Sequence, residues 1–330
     1  MNTQILEYLR EVIKDEFNSG KISAFVGYRK VDGIPGKRRP FVCRTAEDAD
    51  KLVYDSFCTQ NLVRLIEGKS NFIKSLKQSK KKIGILVKGC DSKSIKVSIS
   101  ESKLDRHDFW ILGISCSGNL DVSRMRDSLE VDSKEIVDDG KSIQLELLDG
   151  SKMKLEREDW LLPKCIHCSI TKPDNFDLLI PDDDPRESKD GMDMEWVSEY
   201  KNKPFHVRQE FILKHLSRCV MCFACRDACP GCHCNENCVM NRQKLPEPFI
   251  HKSHELKDIL QYHFIHFYHL SDRCTGCGEC TRACPENIPL NIITDQLRLM
   301  QMENWEFAAG ISEKATSPLS LIKGEEVLGG

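Results

Sequence analysis

The sequence predicts an α/β domain at the N-terminus and an all-α domain towards the C-terminus. Two continuous apolar runs, at residues 82–87 and 109–114, are each bounded by turn residues and predict buried parallel strands. Alternating residues on both sides of an Asp149-Gly150 turn predict a β-hairpin. Helical patterns precede each of two later cysteine runs. The N-terminal sheet is therefore expected to be small, parallel or mixed, and accompanied by helices and the hairpin.

Composition and charge limit the class of protein. The chain has 330 residues, of which 40% are hydrophobic and 30% charged, with a net charge of −3. These values are typical of a globular protein, and they give no basic footprint for nucleic acid. No apolar stretch approaches the roughly 18 residues of a membrane span, and the N-terminal helical pattern does not resemble a secretory signal. We therefore expect a cytoplasmic protein with no membrane span and no nucleic-acid partner.

The first predicted domain covers residues 1–160. Cys90 follows the first apolar run within a Lys-Gly-Cys-Asp segment, and Cys116 follows the second within Ser-Cys-Ser-Gly. Open α/β sheets place their ligands just past the carboxyl ends of the strands. We therefore expect the two cysteines at adjacent strand ends.

The remaining chain is predicted in three parts. Residues 161–200 are predicted as a linker that begins at a Cys-x2-Cys site and contains an acidic run at 182–184. We interpret the acidic run as a solvated loop, with docking as the alternative. Residues 201–303 are predicted as the all-α domain, with helical patterns at 207–216 and 254–270. Residues 304–330 are predicted as a C-terminal docking tail.

The chain has 17 cysteines. Eight of them form two runs of identical spacing in the second predicted domain. They are Cys219-x2-Cys222-x2-Cys225-x3-Cys229-Pro230 and Cys274-x2-Cys277-x2-Cys280-x3-Cys284-Pro285. In bacterial two-cluster ferredoxins, each such run gives three thiolates to one 4Fe-4S cluster and its fourth to the other. We therefore predict one cluster on Cys219, Cys222, Cys225 and Cys284, and a second on Cys274, Cys277, Cys280 and Cys229.

The alternative for these runs is a pair of four-cysteine zinc sites, although zinc usually takes cysteines in separated pairs. The runs begin at residues 219 and 274, which is far apart for a compact β-containing ferredoxin. This spacing, with a helical pattern before each run, favours an all-α two-cluster ferredoxin-like domain.

Two further cysteine groups are candidate metal sites. Cys90, Cys116, Cys165 and Cys168 could enclose a third 4Fe-4S cluster; in the alternative, Cys90 and Cys116 are small buried residues and Cys165-x2-Cys168 is half of a zinc site. Cys232, Cys234 and Cys238 directly follow the first run, and Cys58, His233 or another group could complete their site. A fourth cluster, a structural zinc and spare thiols all remain open there.

Charged and aromatic residues near the runs give weaker signals. Arg218, Arg226, Arg273 and Arg282 could raise cluster potentials by stabilising the more negative reduced state, or they could simply be solvated. Five histidines between residues 251 and 269 do not form the His-Glu-x-x-His zinc motif, and we expect them to line a cluster pocket. We find no dinucleotide-binding glycine motif, no P-loop and no catalytic Ser–His–Asp or Cys–His set.

The Gly-Cys-Asp and Ser-Cys-Ser-Gly segments and the downstream Cys165-x2-Cys168 pair resemble the beta-subunit superfamily of deazaflavin-reducing hydrogenases and formate dehydrogenases. The similarity is greatest to a branch in which this domain is fused to a two-cluster ferredoxin module and works with heterodisulfide-reductase-like partners. The resemblance implies that the strand-end cysteines and the Cys-x2-Cys pair hold a cluster. It also implies a hetero-oligomer with hydrogenase, formate dehydrogenase or heterodisulfide-reductase-like subunits, and it raises the possibility of bound FAD.

The leading hypothesis is an electron-relay subunit of an anaerobic oxidoreductase complex, without substrate chemistry of its own. A second hypothesis is a flavin-containing oxidoreductase subunit that converts hydride from a deazaflavin or nicotinamide donor into single electrons. A third is a zinc-stapled scaffold. Spectra of flavin and iron–sulfur clusters, with zinc analysis, distinguish the three.

Overall fold

The computed structural model describes residues 3–67, 80–130, 132–168, 170–181, 194–232 and 253–311. It contains two compact units. The first consists of Met1–Ser92 and Ile99–Met192, and the second of Lys93–Ser98 and Asp193–Gly330. Within the described residues, no helix is long and apolar enough to cross a bilayer.

A five-stranded mixed sheet forms the first unit's main layer. Its strands are β1 (Ile22–Lys30), β2 (Arg38–Cys43), β3 (Lys82–Val87), β4 (Phe109–Ile114) and, late in the chain, β8 (Leu178–Ile180). The order is β2-β1-β3-β4-β8, with β2 antiparallel to β1 and the other neighbours parallel. The two predicted apolar runs are therefore neighbouring parallel strands, and the α/β prediction with a mixed sheet is confirmed.

Close packing across the sheet explains one glycine of β3. A Cβ added to Gly84 would lie 2.4 Å from Cδ2 of Phe25 on β1. The Phe25 ring in turn contacts Trp110 of β4, with 6.2 Å between the ring centroids. Both aromatic side chains are buried, so the glycine gives the larger rings room to cover the middle of the sheet.

The predicted hairpin belongs to a separate three-stranded antiparallel sheet. Its strands are β5 (Ser133–Asp138), β6 (Ser142–Leu147) and β7 (Lys152–Glu156), in that spatial order. The predicted turn at Asp149-Gly150 joins β6 to β7. Ile143 and Leu145 of β6 are buried in a core that also includes Leu120, Met125 and Leu161.

The helices of the first unit are short apart from those at its start and after β3. They are Thr3–Asn18, Val63–Ile66, Gly89–Ser100, Val122–Leu129 and Pro163–Ile166, with 3₁₀ turns at Glu47–Lys51, Arg106–Asp108 and Glu158–Trp160. Residues 93–98 of the helix Gly89–Ser100 are part of the second unit. The segment predicted as a linker contributes the helix Pro163–Ile166 and the sheet strand β8, and it ends inside the helix Glu195–Lys201. The boundaries predicted at residues 160, 200 and 303 stay predictions.

The described part of the second unit is helical. After Glu195–Lys201 come Phe205–Leu216, Ala224–Ala228, Leu256–Leu270, Glu279–Arg282 and Asn291–Trp305. The patterns predicted at 207–216 and 254–270 therefore correspond to helices. Their buried residues, including Leu216, Ile259 and Tyr262, form one core with Met221 and Leu290 from the segments around the cysteines. The chain thus has a helical C-terminal region, and its all-α ferredoxin architecture stays a prediction.

Candidate metal centres

The first predicted cysteine set lines one recess of the second unit. Cys219, Cys222, Cys225 and Cys284 all contribute to its wall, together with the apolar side chains of Ile288 and Leu290. The fourth cysteine therefore comes from the other run, as the ferredoxin spacing predicts. Burial raises the pKa of the Cys225 thiol to about 11. Because iron binds thiolates, loading this site must displace those protons.

Two side chains of one helix contact sulfur atoms of this set. The hydroxyl of Tyr262 lies 3.2 Å from Sγ of Cys225, and Nε2 of His263 lies 3.4 Å from Sγ of Cys219. The backbone N–H of Met221 also donates to Cys219 Sγ at 3.4 Å. Hydrogen bonds to sulfur and burial are the means by which proteins tune iron–sulfur clusters, so this donor set suits a 4Fe-4S cluster.

The second predicted set is also brought together, deeper in the unit. Burial raises the pKa of Cys280 well above its usual value, and the nearby thiolates of Cys274, Cys229 and Cys277 raise it further. The pKa of Cys229 is likewise raised by burial and then by Cys277 and Cys274. Three thiols of the second run and the last thiol of the first run are therefore within electrostatic reach of one another.

The two cysteine loops have the same backbone conformation. Met221 and Gly276 each lie two residues after the first cysteine of their run, with φ of 50° and 69°. Phe223 and Gly278 lie two residues further on, with φ of 64° and 68°. The left-handed conformation at both positions turns the chain around the sulfur atoms, and it favours glycine. The second run has glycine at both places, whereas the first places larger residues there.

Packing in the core holds the first loop in this less favourable conformation. The side chain of Met221 is 1% exposed. The ring of Phe223 makes an edge contact with Tyr262, with 5.0 Å between the centroids. These contacts offset the cost of left-handed backbone at residues that carry a Cβ.

The third predicted set lies in the first unit, past the ends of β3 and β4. Cys90 is in the first turn of the helix Gly89–Ser100, and Cys116 follows β4. Burial is the largest influence on the pKa of both Cys90 and Cys165, and it raises both values. Cys116 also raises the pKa of Cys90, and Cys116 and Cys168 both raise the pKa of Cys165. All four cysteines are therefore within electrostatic reach of at least one other member.

Backbone and side-chain contacts hold these cysteines in place. The N–H of Cys116 donates to the Thr171 carbonyl at 2.8 Å, and the N–H of Asn119 donates to Cys165 Sγ at 3.3 Å. Arg157, only 4% exposed, pairs with Asp138 at 2.9 Å and donates to the carbonyls of residues 117 and 118, which directly follow Cys116. The three-stranded sheet thus fixes the loop that carries Cys116.

Two lysines supply positive charge near this set. Lys164 and Lys88 both lower the pKa of Cys90, although burial and Asp91 act more strongly in the opposite direction. Lys88 is fully buried, pairs with Asp91 at 3.0 Å and also contacts the hydroxyl of Tyr28. Nothing in the local sequence indicates that Lys88 is buried, so its role is visible only in the structure.

The possible fourth site stays a prediction. Cys58 is buried in the first unit, where its thiol lies 3.6 Å from Oδ1 of Asp55. Cys232 is buried in the second unit. The pKa of Cys229 is raised mainly by burial, then by Cys277 and Cys274, and to a smaller extent by Cys232, which therefore lies nearby. Cys234, Cys238 and His233 lie outside the described residues. Across the described ranges, no group of three or more His, Cys, Asp or Glu side chains is arranged to hold a single metal ion.

The four arginines proposed from sequence all have polar partners. Arg282 makes contacts of 2.7–3.1 Å with Glu279, and Arg226 pairs with Asp227 at 3.0 Å. Arg218 contacts His215, and Arg273 lies 3.8 Å from Asp272. A fifth arginine, Arg298, lies against the second cysteine loop at Gly276 and was not among those indicated by the sequence.

Comparison with known proteins agrees with this arrangement. Residues 215–288, which include both cysteine runs, match the family model of the 4Fe-4S dicluster domain. Over 290 residues the chain is 23% identical to the F420-dependent formate dehydrogenase subunit beta of Methanocaldococcus jannaschii, covering 70% of this chain and 74% of that protein.

A solved structure gives a more distant match. A chain of the F420-reducing [NiFe] hydrogenase complex from Methanosarcina barkeri, studied by xenon derivatization, aligns with a TM-score of 0.39 and 13% identity. The alignment covers 52% of this chain and 64% of the hydrogenase chain. The protein is therefore an iron–sulfur protein that carries a 4Fe-4S dicluster domain and is similar over most of its length to a formate dehydrogenase beta subunit.

Proposed function

We propose that the chain is an electron-relay subunit that passes single electrons through 4Fe-4S clusters between partner subunits of an oxidoreductase complex. The partners would be formate dehydrogenase, hydrogenase or heterodisulfide-reductase-like subunits. The main support is the recess lined by three cysteines of the first run together with Cys284 of the second. This crossed arrangement is typical of two-cluster ferredoxins.

The residues of the recess are suited to electron transfer. When bound, a 4Fe-4S cluster accepts and releases one electron at a time. Cys219, Cys222, Cys225 and Cys284 would hold the first cluster, and Cys229, Cys274, Cys277 and Cys280 the second. Ile288 and Leu290 limit contact with water at the first set, while the Tyr262 hydroxyl and Nε2 of His263 lie within hydrogen-bonding distance of its sulfur atoms.

We further propose that Cys90, Cys116, Cys165 and Cys168 hold a third cluster. Support comes from their mutual proximity beyond two neighbouring strand ends and from the N–H donated to Cys165. Lys88 and Lys164 would partly balance the negative charge of four thiolates in a buried place.

The test is anaerobic purification of the full chain, followed by iron, acid-labile sulfide, zinc and flavin analysis and electron paramagnetic resonance of the reduced protein. We expect iron and sulfide in equal amounts and reducible paramagnetic signals. Cys284→Ser should remove or alter the first cluster's signal and leave the second. Cys43→Ala is the matched control, because Cys43 is a buried thiol on β2 outside every predicted set.

Three results would contradict the proposal in different ways. Colourless protein without sulfide would exclude the clusters, and zinc in their place would support a scaffold. Bound flavin that is reduced by a deazaflavin or nicotinamide donor would instead support the hydride-converting subunit.

A further inference from the structure

A largely buried arginine lies against the second cysteine loop. A Cβ added to Gly276 would lie 2.1 Å from Nη1 of Arg298 and 2.5 Å from its Cζ. Both distances are far shorter than any non-bonded contact. The guanidinium therefore occupies the space that a side chain at position 276 would need, directly between Cys274 and Cys277 in sequence.

The equivalent position of the first cysteine loop is occupied by a methionine instead of a glycine. Met221 has the same left-handed backbone as Gly276, and its apolar side chain is buried. Two loops of the same shape thus present a methionine side chain in one case and a guanidinium in the other. This difference is electrostatic, because a positive charge replaces a neutral thioether.

The Arg298 guanidinium is fixed and poorly solvated. Its Nη1 lies 2.6 Å from Oδ1 of Asp295, one turn earlier on the helix Asn291–Trp305, and the two side chains are 12% and 11% exposed. Charges in such a place are weakly screened by salt. Holding a buried charge requires a partner, and Asp295 supplies it.

The guanidinium acts on Cys274 more strongly than its carboxylate partner does. Burial is the largest influence on the pKa of Cys274 and raises it. Arg298 is the second largest and lowers this pKa, whereas Asp295 raises it by a smaller amount. Burial opposes the charge of Arg298, but Asp295, Cys274 and Cys277 together hold its pKa above the usual value. Arg298 therefore stays charged at any working pH.

We propose that Arg298 sets the reduction potential at the second cysteine set and that the glycine at position 276 is what admits it. The inference rests on the proposed function, since it requires a cluster held by Cys229, Cys274, Cys277 and Cys280. A one-electron donor adds a single negative charge at this set, and no proton need accompany it. The fixed guanidinium stabilises that charge, so the second cluster has a higher potential than it would have beside a neutral side chain.

The test is a redox titration of the anaerobically purified full chain, with dithionite as the electron donor and paramagnetic resonance as the readout. Cys284→Ser identifies which signal belongs to which cluster. At the parent's midpoint for the second cluster, Arg298→Met should lower the ratio of reduced to oxidised cluster at least tenfold, which is 59 mV for one electron. Arg298→Lys should restore most of the change, and the first cluster should move less than the second.

Two matched controls separate charge from disturbance of the fold. Arg282→Gln removes a guanidinium that is paired with Glu279 at 2.7 Å, much as Arg298 is with Asp295. The space beside Gly276 is occupied by Arg298 and not by Arg282, so this variant should change the second cluster's potential less than Arg298→Met does. Gly276→Ala should displace the guanidinium and lower the potential, whereas Gly278→Ala introduces the same left-handed strain at a φ of 68° and should lower it less.

Asp295→Asn completes the set and covers the case in which Arg298→Met does not retain the cluster. It keeps the guanidinium and removes its counter-charge, so it should raise the second cluster's potential. An unchanged potential in Arg298→Met or Asp295→Asn, or equal shifts in Arg298→Met and Arg298→Lys, would overturn the inference. A parent chain without a second cluster would instead overturn the proposed function.

Discussion

Tyr262 and His263 are consecutive residues of one helix, yet they contact different sulfur atoms of the same set. Successive helical residues point about 100° apart, and both side chains nevertheless line the same recess. Their targets, Cys225 and Cys219, lie at the two ends of the first cysteine loop. A single rigid helix therefore fixes two hydrogen bonds at one candidate cluster.

The Tyr262 contact gives a prediction at the scale of one hydrogen bond. Tyr262→Phe keeps the ring and removes the hydroxyl that donates to Cys225 Sγ, so the first cluster should lose stabilisation of its reduced form and its potential should fall. The same titration measures this shift, with the second cluster as an internal reference. Tyr268→Phe is the control, since Tyr268 lies on the same helix and is 64% exposed. Equal potentials in Tyr262→Phe and the parent would contradict the prediction.

Sequence indicated the cysteines and, in His263, one histidine beside them, but not most of the other residues that surround them. The ligand spacing is local, because a single loop carries three thiolates, and it can be read directly. Tyr262 and Arg298 reach their cysteines from 37 and about 24 residues away, so no spacing rule could indicate them. In contrast, Arg282 and Glu279 are three residues apart on one helix, which makes their pairing readable in advance.

At the scale of elements, the start of the helix Gly89–Ser100 depends on a close backbone approach. A Cβ added to Gly89 would lie 2.1 Å from the carbonyl oxygen of Ile170 and 2.7 Å from its Cγ2. Backbone at residue 170 cannot yield as a flexible side chain would. The glycine therefore allows the segment after Cys168 to pack against the turn that carries Cys90.

Gly89→Ala should therefore move this helix start and disturb the third set. We expect a loss of about 1–3 kcal/mol in the free energy of unfolding, as for other overpacked positions. Iron and sulfide should fall by the share of one cluster, while the dicluster signals remain. Gly140→Ala controls for backbone strain without overpacking, because its φ is 92° but no described atom lies within 4 Å of an added Cβ. It should leave the iron content unchanged. Full iron content in a folded Gly89→Ala protein would argue against a third cluster at this place.

The predictable elements are those with a repeating pattern. β3 and β4 read as apolar runs, and the helices Phe205–Leu216 and Leu256–Leu270 of the second unit read as helical patterns. β8 has only three residues, Leu178–Ile180, and is a strand because β4 offers an open edge to pair with. β5 is similarly defined by its pairing with β6 rather than by its own alternation. Neither partner is visible in a local stretch of sequence.

At the scale of the whole molecule, buried histidines make stability depend on pH. His266 is 2% exposed, its Nε2 has no hydrogen-bond partner among the described residues, and its ring stacks on Tyr262 with 5.6 Å between the centroids. Burial lowers the pKa of His266 to about 3, and His263, Arg226 and His269 add to the effect. The unfolded chain, with an ordinary histidine pKa near 6.5, then binds a proton that the folded chain does not.

The sign of the resulting pH dependence follows from linkage. The contribution of His266 to stability is complete above about pH 6.5 and is lost as the pH falls towards 3, by roughly 1.4 kcal/mol per unit. His266→Gln should therefore show a smaller drop in melting temperature between pH 7 and pH 5 than the parent. The comparison uses the full chain under anaerobic conditions. Parallel curves for the two proteins would show that His266 does not titrate on unfolding.

Strand β8 comes late in the sequence, and this position affects how the first unit can be produced alone. A fragment that stops at residue 160, where the sequence pattern changes character, would expose the whole outer edge of β4 with its unpaired N–H and C=O groups. Such edges recruit strands from other chains and lead to insoluble material. The fragment would also lack two of the four thiols of the third set. A usable expression boundary for this half of the protein must therefore lie beyond Ile180, some twenty residues after the place that composition suggests.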